Sequence, residues 1–333
     1  MTESTRQRLN AIRDVVQVDI GNRGLARDPV ENLLTVTRDD FAVACQRIAQ
    51  HPAPRLGIIT GFTIPTATPI AAETDGPLGA ISLARACLEM GIGVEIVADP
   101  NCEAALRAGL MHLGLADRVP VANIPADREA IRAGAPWTIP PTHLIPLERV
   151  GPGHTVESLR AQPGNDLEMI AEFSRLVPES ERGRCRSMRG IDVTDLVRPA
   201  HWLIEESTLP VIGIGDGGNE IGMGRIGWDI IRRNIPRGEL VACRVPAEQL
   251  IVAGVSNWGA WALAAGIALL RSHRLADSWY NPQVEHDLLA VMVEAGPLVD
   301  GVIGKPQVTV DGLDWPTYVR PLQQLEALQR AAV

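Results

Sequence analysis

Short apolar runs alternate with longer amphipathic segments along most of the chain. The runs at 56–60, 94–98, 143–147, 210–215 and 239–243 have the length and composition of buried strands. Helical periodicity covers 4–18, 38–50, 77–90, 102–114, 155–176, 256–271, 282–295 and 316–329. Strands that alternate with helices form a mainly parallel sheet, because parallel neighbours need a crossover connection. The sequence therefore predicts an α/β fold in three layers, with helices on both faces of the sheet.

The size and charge of the chain favour an acidic globular protein. It has 333 residues, 46% of them hydrophobic, and a formal net charge of -9. This is enough for one large core, so we expect a single domain over residues 1–333 with a polar insert at about 150–190. An acidic balance disfavours a nucleic-acid surface, which normally carries basic patches. We expect a small-molecule substrate, and the sequence leaves open whether the chain forms a homo-oligomer.

Cysteine usage and hydropathy indicate the compartment. The cysteines, Cys45, Cys87, Cys102, Cys185 and Cys243, lack the spacing of a zinc site or a disulfide framework. Residues 1–13 lack the apolar segment of a secretory signal, and the most apolar segment, 260–270, is about half as long as a membrane span. We therefore expect a cytoplasmic protein without a membrane segment.

Polar residues and glycines follow the predicted strands at the points where the strands end. In open α/β sheets, ligands bind at the carboxyl ends of the strands. The candidates are Thr60, Gly61, Asp99, Glu148, Arg149, Gly215, Asp216, Ser256 and Asn257. Because neighbouring residues of a strand point to opposite faces, one of Glu148 and Arg149 could serve the site while the other pairs elsewhere.

Several polar positions also have a purely structural interpretation. Asp75 and Ser256 could cap helices, and Asp99 could belong to a turn or a cap. Glu73 could be a solvated loop residue. The segment G-N-R-G at 21–24 is more typical of an ordinary turn than of a ligand-binding loop. These alternatives stay open at the level of sequence.

The strand predicted at 210–215 runs into a glycine-rich loop, G-I-G-D-G-G-N-E-I-G-M-G at 213–224. Its G-x-G-x-x-G spacing occurs in dinucleotide-binding folds, but the later glycines disfavour the helix that must hold a pyrophosphate. No nucleotide P-loop is present either, so we expect no nucleotide cofactor. Asp216 and Glu220 are hard oxygen ligands suited to Mg²⁺ or Mn²⁺. The segment is similar to the magnesium loop of haloacid-dehalogenase-like phosphatases, but the chain lacks their amino-terminal nucleophile loop.

A set of short motifs extends over nearly the whole chain. They are T-G-F at 60–62, E-T-D-G-P-L-G-A at 73–80, L-E-R at 147–149, M-R-G-I-D at 188–192, the glycine-rich loop, A-G-V-S-N-W-G at 253–259, D-G-V-I-G-K at 300–305 and T-V-D-G-L at 309–313. In this order the motifs resemble the D-glutamate cyclase-like carboxy-terminal domain family.

The resemblance implies an intramolecular dehydration that closes D-glutamate to 5-oxo-D-proline, with a divalent cation such as Mg²⁺ or Mn²⁺. The γ-carboxylate is a poor electrophile until its charge is neutralised. Asp75, Asp216 and Glu220 could bind the metal, while Glu73, Glu148 or Lys305 could carry protons. Arg149 could bind the α-carboxylate through its planar fork. The remaining candidates for the substrate site are Thr60, Gly61, Gly217, Gly218, Asn219, Ser256 and Asn257, with loop amides, Asn219 or Asn257 facing the oxyanion.

The resemblance leaves the substrate open. The segment between Arg149 and Met188 is long and polar compared with typical members of the family, and it could reshape the pocket. Run in reverse, the same groups would make a hydrolase that opens a lactam or another cyclic amide. A non-catalytic small-molecule sensor would also keep such a pocket.

Overall fold

A computed structural model of the chain describes residues 1–162 and 166–331. Its strands are β1 (Arg55–Thr60), β2 (Thr63–Ile64), β3 (Ala71–Glu73), β4 (Gly93–Ala98), β5 (Val121–Asn123), β6 (His143–Pro146), β7 (Ile212–Gly215), β8 (Gln249–Val252) and β9 (Leu298–Val299). Its helices are α1 (Glu3–Val16), α2 (Leu33–Val36), α3 (Asp40–Gln50), α4 (Pro77–Glu89), α5 (Pro100–His112), α6 (Arg128–Arg132), α7 (Val156–Ala161), α8 (Leu167–Leu176), α9 (His201–Glu205), α10 (Trp228–Asn234), α11 (Gly238–Val241), α12 (Ser256–Leu270), α13 (Pro282–Ala295) and α14 (Trp315–Arg330).

The main sheet is parallel. Strands β5, β4, β1 and β6 are neighbours in that order, and β7 pairs in parallel with β8. Parallel bridges from Leu144 to Val211 and from Leu147 to Ile214 join β6 to β7. The short strands β2, β3 and β9 form a separate small sheet at one side. The predicted α/β class with a mainly parallel sheet is confirmed.

Helices cover both faces because the strands alternate their apolar side chains. Ile58 and Ile96 belong to a core that also contains residues of α1, α3, α4, α5, α12, α13 and α14. Ile59 and Val97, the next residues along the same strands, belong to a second core with residues of α2, α7, α8, α9, α10 and α11. The sheet is therefore apolar on both faces, as expected for a parallel sheet between helix layers.

Helix α12 is buried over most of its length. Residues 256–268 are all buried, and the helix packs against α4, where a Cβ at Gly79 would lie 3.2 Å from the Cβ of Ala260. Its amino terminus follows β8 and lies at the carboxyl edge of the sheet. Within the described part of the chain, no helix has both the length and the apolar content needed to cross a membrane.

Two predicted elements were wrong. Residues 239–243, expected as a strand, lie largely in the short helix α11, where the indole N–H of Trp228 donates to the carbonyl of Glu239 at 3.0 Å. A short apolar run does not by itself distinguish a strand from a helical turn. The helix expected over 155–176 is split, since α7 ends at Ala161 and Asp166 caps the start of α8. Residues 163–165 of that prediction lie outside the described residues.

Candidate active site

A cavity of about 260 Å³ lies at the carboxyl edge of the main sheet. Its walls come from segments that are distant in sequence. The lining residues are Arg23, Phe62, Ile64, Pro65, Thr66, Glu73, Asp75, Glu148, Ser187, Met188, Arg189, Ile191, Asp216, Pro236, Gly301, Val302 and Asp311. The cavity is small compared with typical ligand pockets of roughly 300–1,000 Å³, which fits a small metabolite.

Three buried acids meet at the base of this cavity. Asp75 precedes α4, Glu148 follows β6 and Asp216 follows β7. One carboxylate oxygen from each lies within 4.8 Å of the others. The rule that polar groups at the ends of parallel strands converge therefore brings Glu148 and Asp216 together.

Asp75 is held by the amino terminus of α12. Its Oδ2 accepts from the backbone N–H of Ser256 and its Oδ1 from that of Asn257, both at 2.8 Å. The Asn257 side chain in turn accepts from the N–H groups of Gly76 and Gly79, at 2.8 and 2.7 Å. Free N–H groups at a helix start favour a negative charge, so this arrangement fixes the orientation of Asp75.

Glu148 is held by a side chain from the same helix start. The Ser256 hydroxyl donates to Glu148 Oε2 at 2.6 Å. Gly76 has a φ of +92°, and a Cβ there would lie 2.7 Å from the Cβ of Glu148 and 2.8 Å from the Oγ1 of Thr60. Glycine at 76 therefore permits both the turn and the close approach of Glu148. Thr60 Oγ1 is buried without a hydrogen-bond partner among the described residues.

Glu73, the last residue of β3, also lines the cavity. Its side chain is buried, and a Cβ on Gly301 would collide with its Oε2. The close passage of the chain at Gly301 thus closes the space around this carboxyl group. The solvated-loop interpretation of Glu73 is wrong.

Arg23 is a site residue that the sequence interpretation missed. Its guanidinium forms ion pairs with Asp216 Oδ2 at 2.5 Å and with Asp311 Oδ2 at 2.7 Å. The G-N-R-G segment favoured an ordinary turn, and only the folded chain shows that it carries Arg23 to the cavity. The signal for Asp311 was present in the T-V-D-G-L motif, which had no assigned role.

Burial raises the pKa of Asp75 to about 7, and the nearby Asp311 carboxylate adds to this shift. Burial also raises the pKa of Asp216 well above its ordinary value, although the positive charge of Arg23 opposes it. For Arg23, burial alone would lower the pKa, but Asp216 and Asp311 raise it above that of a free arginine. Arg23 therefore stays charged, but one positive charge does not neutralise all the carboxyl groups that line the cavity.

The two glutamates show the same behaviour. Burial, with Asp311 and Asp75 nearby, raises the pKa of Glu73 well above its ordinary value. Burial followed by the charge of Asp216 raises the pKa of Glu148. Acids that lack enough positive charge around them take up protons or bind a cation.

Glu220, predicted as a metal ligand, faces its own loop. Its Oε1 accepts from the N–H of Asp216 at 3.0 Å and its Oε2 from that of Gly218 at 2.7 Å. These two hydrogen bonds hold the loop of residues 216–220 in its conformation, and Glu220 does not line the cavity. The expected metal set changes accordingly, with Glu148 in the place of Glu220.

Arg149, predicted as the clamp for a carboxylate, is occupied by a protein carboxylate. It is fully buried and makes a bidentate ion pair with Asp99. Its Nη1 donates to Oδ2 at 2.7 Å and its Nη2 donates to Oδ1 at 2.9 Å. It also donates to the carbonyls of Gly61 and Arg198. Glu148 and Arg149 thus serve different places, and Arg149 does not line the cavity.

Other predicted residues lie outside the cavity lining. Lys305 is exposed, and its backbone carbonyl accepts from the N–H of Asp300 at 3.0 Å. Asn219 donates to the carbonyl of Arg186 at 2.8 Å. The remaining predicted residues do not line the cavity either, and two of them, Gly217 and Gly218, lie in the loop of residues 216–220. The others are Thr60, Gly61, Ser256 and Asn257. Their placement favours positioning of the acids over direct contact with a ligand.

The donor set fits a hard divalent cation. Mg²⁺, Mn²⁺ and Ca²⁺ prefer carboxylate oxygens, and Asp75, Glu148 and Asp216 offer these oxygens at mutual distances compatible with one ion. The hydrogen bonds from Ser256 and Asn257 hold two of these acids in place, as outer-shell partners do for metal ligands.

Fold and site together define an α/β protein with a buried acidic pocket at the carboxyl ends of parallel strands. The sequence profile described as D-glutamate cyclase-like, C-terminal, matches residues 12–326, and the chain belongs to this family. A human protein, D-glutamate cyclase, mitochondrial, is 27% identical over an alignment 369 residues long. The alignment covers 99% of this chain and 53% of the human protein, so the chain spans about half the length of this curated relative.

Proposed function

We propose that this protein closes D-glutamate, or a close analogue, to 5-oxo-D-proline by intramolecular dehydration. The observation that carries the proposal is the small cavity in which Asp75, Glu148 and Asp216 meet beside Arg23, in a chain of the D-glutamate cyclase-like family. The name of the human relative supports the choice of substrate.

The reaction sets three requirements. The α-amine must lose a proton before it attacks, the γ-carboxylate must lose its negative charge, and the departing oxygen must gain protons to leave as water. The cavity must also orient the substrate so that the amine and the γ-carbon meet.

Arginine side chains meet the requirement for orientation. Among the described residues, the cations that line the cavity are Arg23 and Arg189. Arg23 is anchored by Asp216 and Asp311 and still has a side chain that is 22% exposed. We therefore assign the substrate α-carboxylate to Arg23, since Arg149 is fully buried and does not line the cavity.

Glu73 meets the requirement for proton transfer. It lines the cavity, and burial raises its pKa, which favours the protonated form that can donate to the departing oxygen. After donating, its carboxylate can accept the proton from the next amine.

Asp75, Glu148 and Asp216 would hold a Mg²⁺ or Mn²⁺ ion. When bound, such an ion supplies Lewis-acid neutralisation of the γ-carboxylate. Ser256 keeps Glu148 turned toward this position, and the start of α12 does the same for Asp75.

The test is turnover by purified protein. It should be incubated with D- or L-glutamate and Mn²⁺, with and without a chelator, and 5-oxoproline should be measured by mass spectrometry. We expect product from D-glutamate, and a loss of roughly 10²–10⁴-fold in the Glu73→Gln variant. The matched control is Glu168→Gln, which changes an exposed glutamate at the start of α8.

Absence of product from both enantiomers would refute the proposed substrate. Supplying 5-oxo-D-proline instead, and measuring glutamate, tests the lactam-opening direction with the same samples. Opening of a lactam without closure of glutamate would favour the hydrolase.

A further inference from the structure

The lining of the cavity combines two kinds of residue. The charged ones are Arg23, Glu73, Asp75, Glu148, Arg189, Asp216 and Asp311. The apolar ones, here called the apolar wall, are Phe62, Ile64, Pro65, Met188, Ile191, Pro236 and Val302. Free glutamate has apolar surface only at its two side-chain methylenes. The apolar wall is therefore larger than this substrate requires.

The apolar wall continues to the mouth of the cavity. Val302 is 50% exposed and Ile191 is 39% exposed, whereas Phe62 and Ile64 lie deeper, at 4% and 8%. Exposed apolar residues that continue into a pocket commonly mark a binding surface. A substrate could thus place its reacting end among the acids and an apolar group along this wall.

The two sides of the mouth are tied together. Arg189 Nη2 donates to the carbonyl of Val302 at 2.8 Å, which joins the 187–191 segment to the 301–304 segment. The carbonyl of Arg189 accepts from Arg237 Nη1 at 2.8 Å, which anchors the first segment to the body of the protein. Hydrogen bonds therefore fix the segments that carry Met188, Ile191 and Val302 of the apolar wall.

We propose that the site also cyclises γ-amides of glutamate that carry a small branched alkyl group on the amide nitrogen, releasing the alkyl amine. This inference rests on the proposed function, because it uses the same cavity and the same attacking group. The alkyl group would lie against Val302, Ile191 and Met188.

The reaction is balanced without a further reactant. The α-amine nitrogen forms a bond to the γ-carbonyl carbon, and the bond from that carbon to the amide nitrogen breaks. The proton that the α-amine loses is transferred to the departing nitrogen, so the products are 5-oxoproline and a free amine. No water is consumed, and nothing is oxidised or reduced.

The amide needs one step fewer from this cavity than the free acid. A γ-carboxylate must lose its negative charge before the amine attacks, whereas an amide carries no such charge. Glu73 lines the cavity and is placed to give a proton to a departing nitrogen.

The test compares the γ-N-isobutylamide and the γ-N-methylamide of D-glutamate. The two leaving amines have nearly the same basicity, so the ratio of their kcat/KM values reports the contact with the alkyl group. We expect both to give 5-oxoproline and amine, with the isobutylamide favoured by about tenfold. One fully enclosed methylene contributes about 10–200-fold, and the extra carbons here lie against partly exposed residues.

The variant Val302→Asn should reduce this ratio toward one. Ile303→Asn is the matched control, because Ile303 is the neighbouring residue, is 41% exposed and does not line the cavity. It should leave the ratio unchanged. A ratio that is the same in the Val302→Asn variant and in the unaltered protein would overturn the assignment of the apolar wall.

The outcomes also separate this inference from the proposed function. Closure of free D-glutamate without closure of either amide would refute the inference and leave the proposed function standing. Closure of the amides without closure of glutamate would do the reverse. If none of these compounds is converted, both are wrong.

Discussion

Two groups of buried acids lie at the same edge of the sheet and behave differently. Asp99 follows β4 and is matched by Arg149, with one further hydrogen bond from the backbone N–H of Arg198. Glu148, the residue before Arg149, lies with Asp75 and Asp216. Arg23 is shared between Asp216 and Asp311 and leaves this second group short of positive charge. A buried charge matched by its own protein supports the fold, whereas an unmatched one is free to act on a ligand.

The same chemical change should have opposite effects in the two groups. Glu148→Gln keeps a side chain that can accept from Ser256 but removes one of the carboxylates that would hold the cation. We expect 5-oxoproline formation to fall by at least roughly 10–100-fold, the effect of losing even an outer-shell partner of a metal ligand. Its thermal midpoint should be unchanged or higher, since the raised pKa of Glu148 shows that the folded protein disfavours its charge. Activity and thermal unfolding should be measured on one preparation. Retained activity would place the chemistry elsewhere.

Asp99→Asn should instead destabilise the fold. It leaves the guanidinium of Arg149 buried without its countercharge, which costs about 3–5 kcal/mol of unfolding free energy. Denaturant titration measures this value, and Asp117→Asn, at an exposed turn position, is the control. If Asp99→Asn is as stable as the control, the contrast between the two groups does not hold.

Glu285 tests the effect of an unmatched acid that lies away from the cavity. It is buried on α13, where its carboxylate accepts from the Ser82 hydroxyl at 2.9 and 3.0 Å, and burial raises its pKa to about 7. Because the folded pKa lies above the unfolded one, its contribution is complete below about pH 4.5. It is lost as the pH rises to 7.

Relative to Glu285→Gln, the unaltered protein should therefore lose about 3 kcal/mol of unfolding free energy between these pH values. Denaturant titrations across this range check the slope. Glu294→Gln, at an exposed position of the same helix, should leave the slope unchanged. A flat difference between the unaltered protein and Glu285→Gln would mean that Glu285 ionises normally.

A divalent cation should stabilise the unmatched group. At a Mn²⁺ concentration of 100 times its dissociation constant, the unfolding free energy should rise by about 2.7 kcal/mol. Calorimetric titration gives the affinity, and thermal unfolding gives the stabilisation. Both should be strongly reduced in Glu148→Gln, which lacks one of the carboxylates of the cluster. Equal binding to this variant would remove Glu148 from the ligand set.

The sequence predicted the sheet and the acids at strand ends, because both follow from local patterns. The alternation of strands and helices determines which edge of a parallel sheet carries Glu148 and Asp216. Because adjacent residues of a strand point to opposite faces, Glu148 and Arg149 were expected to serve different places. The single domain over residues 1–333 stays a prediction.

The errors arose where long-range contacts decide. Arg23 precedes every strand in the sequence, and only its ion pairs with Asp216 and Asp311 bring it into the site. Glu220 looked like a ligand by its composition, but its backbone partners lie two and four residues away in its own loop. Sequence spacing does not show whether a loop acid turns outward to an ion or back to its own amides.

The side chain of Asn257 has a consequence for how this family can diversify. Its amide accepts from Gly76 and Gly79 and donates to Thr74 and Tyr318, which links the segment before α4 to α12 and α14. The acids are thereby held in the buried interior, whereas Val302 and Ile191 of the apolar wall are exposed at the mouth of the cavity. We therefore expect substitutions at these two positions to change which ligands fit while the acids stay in place.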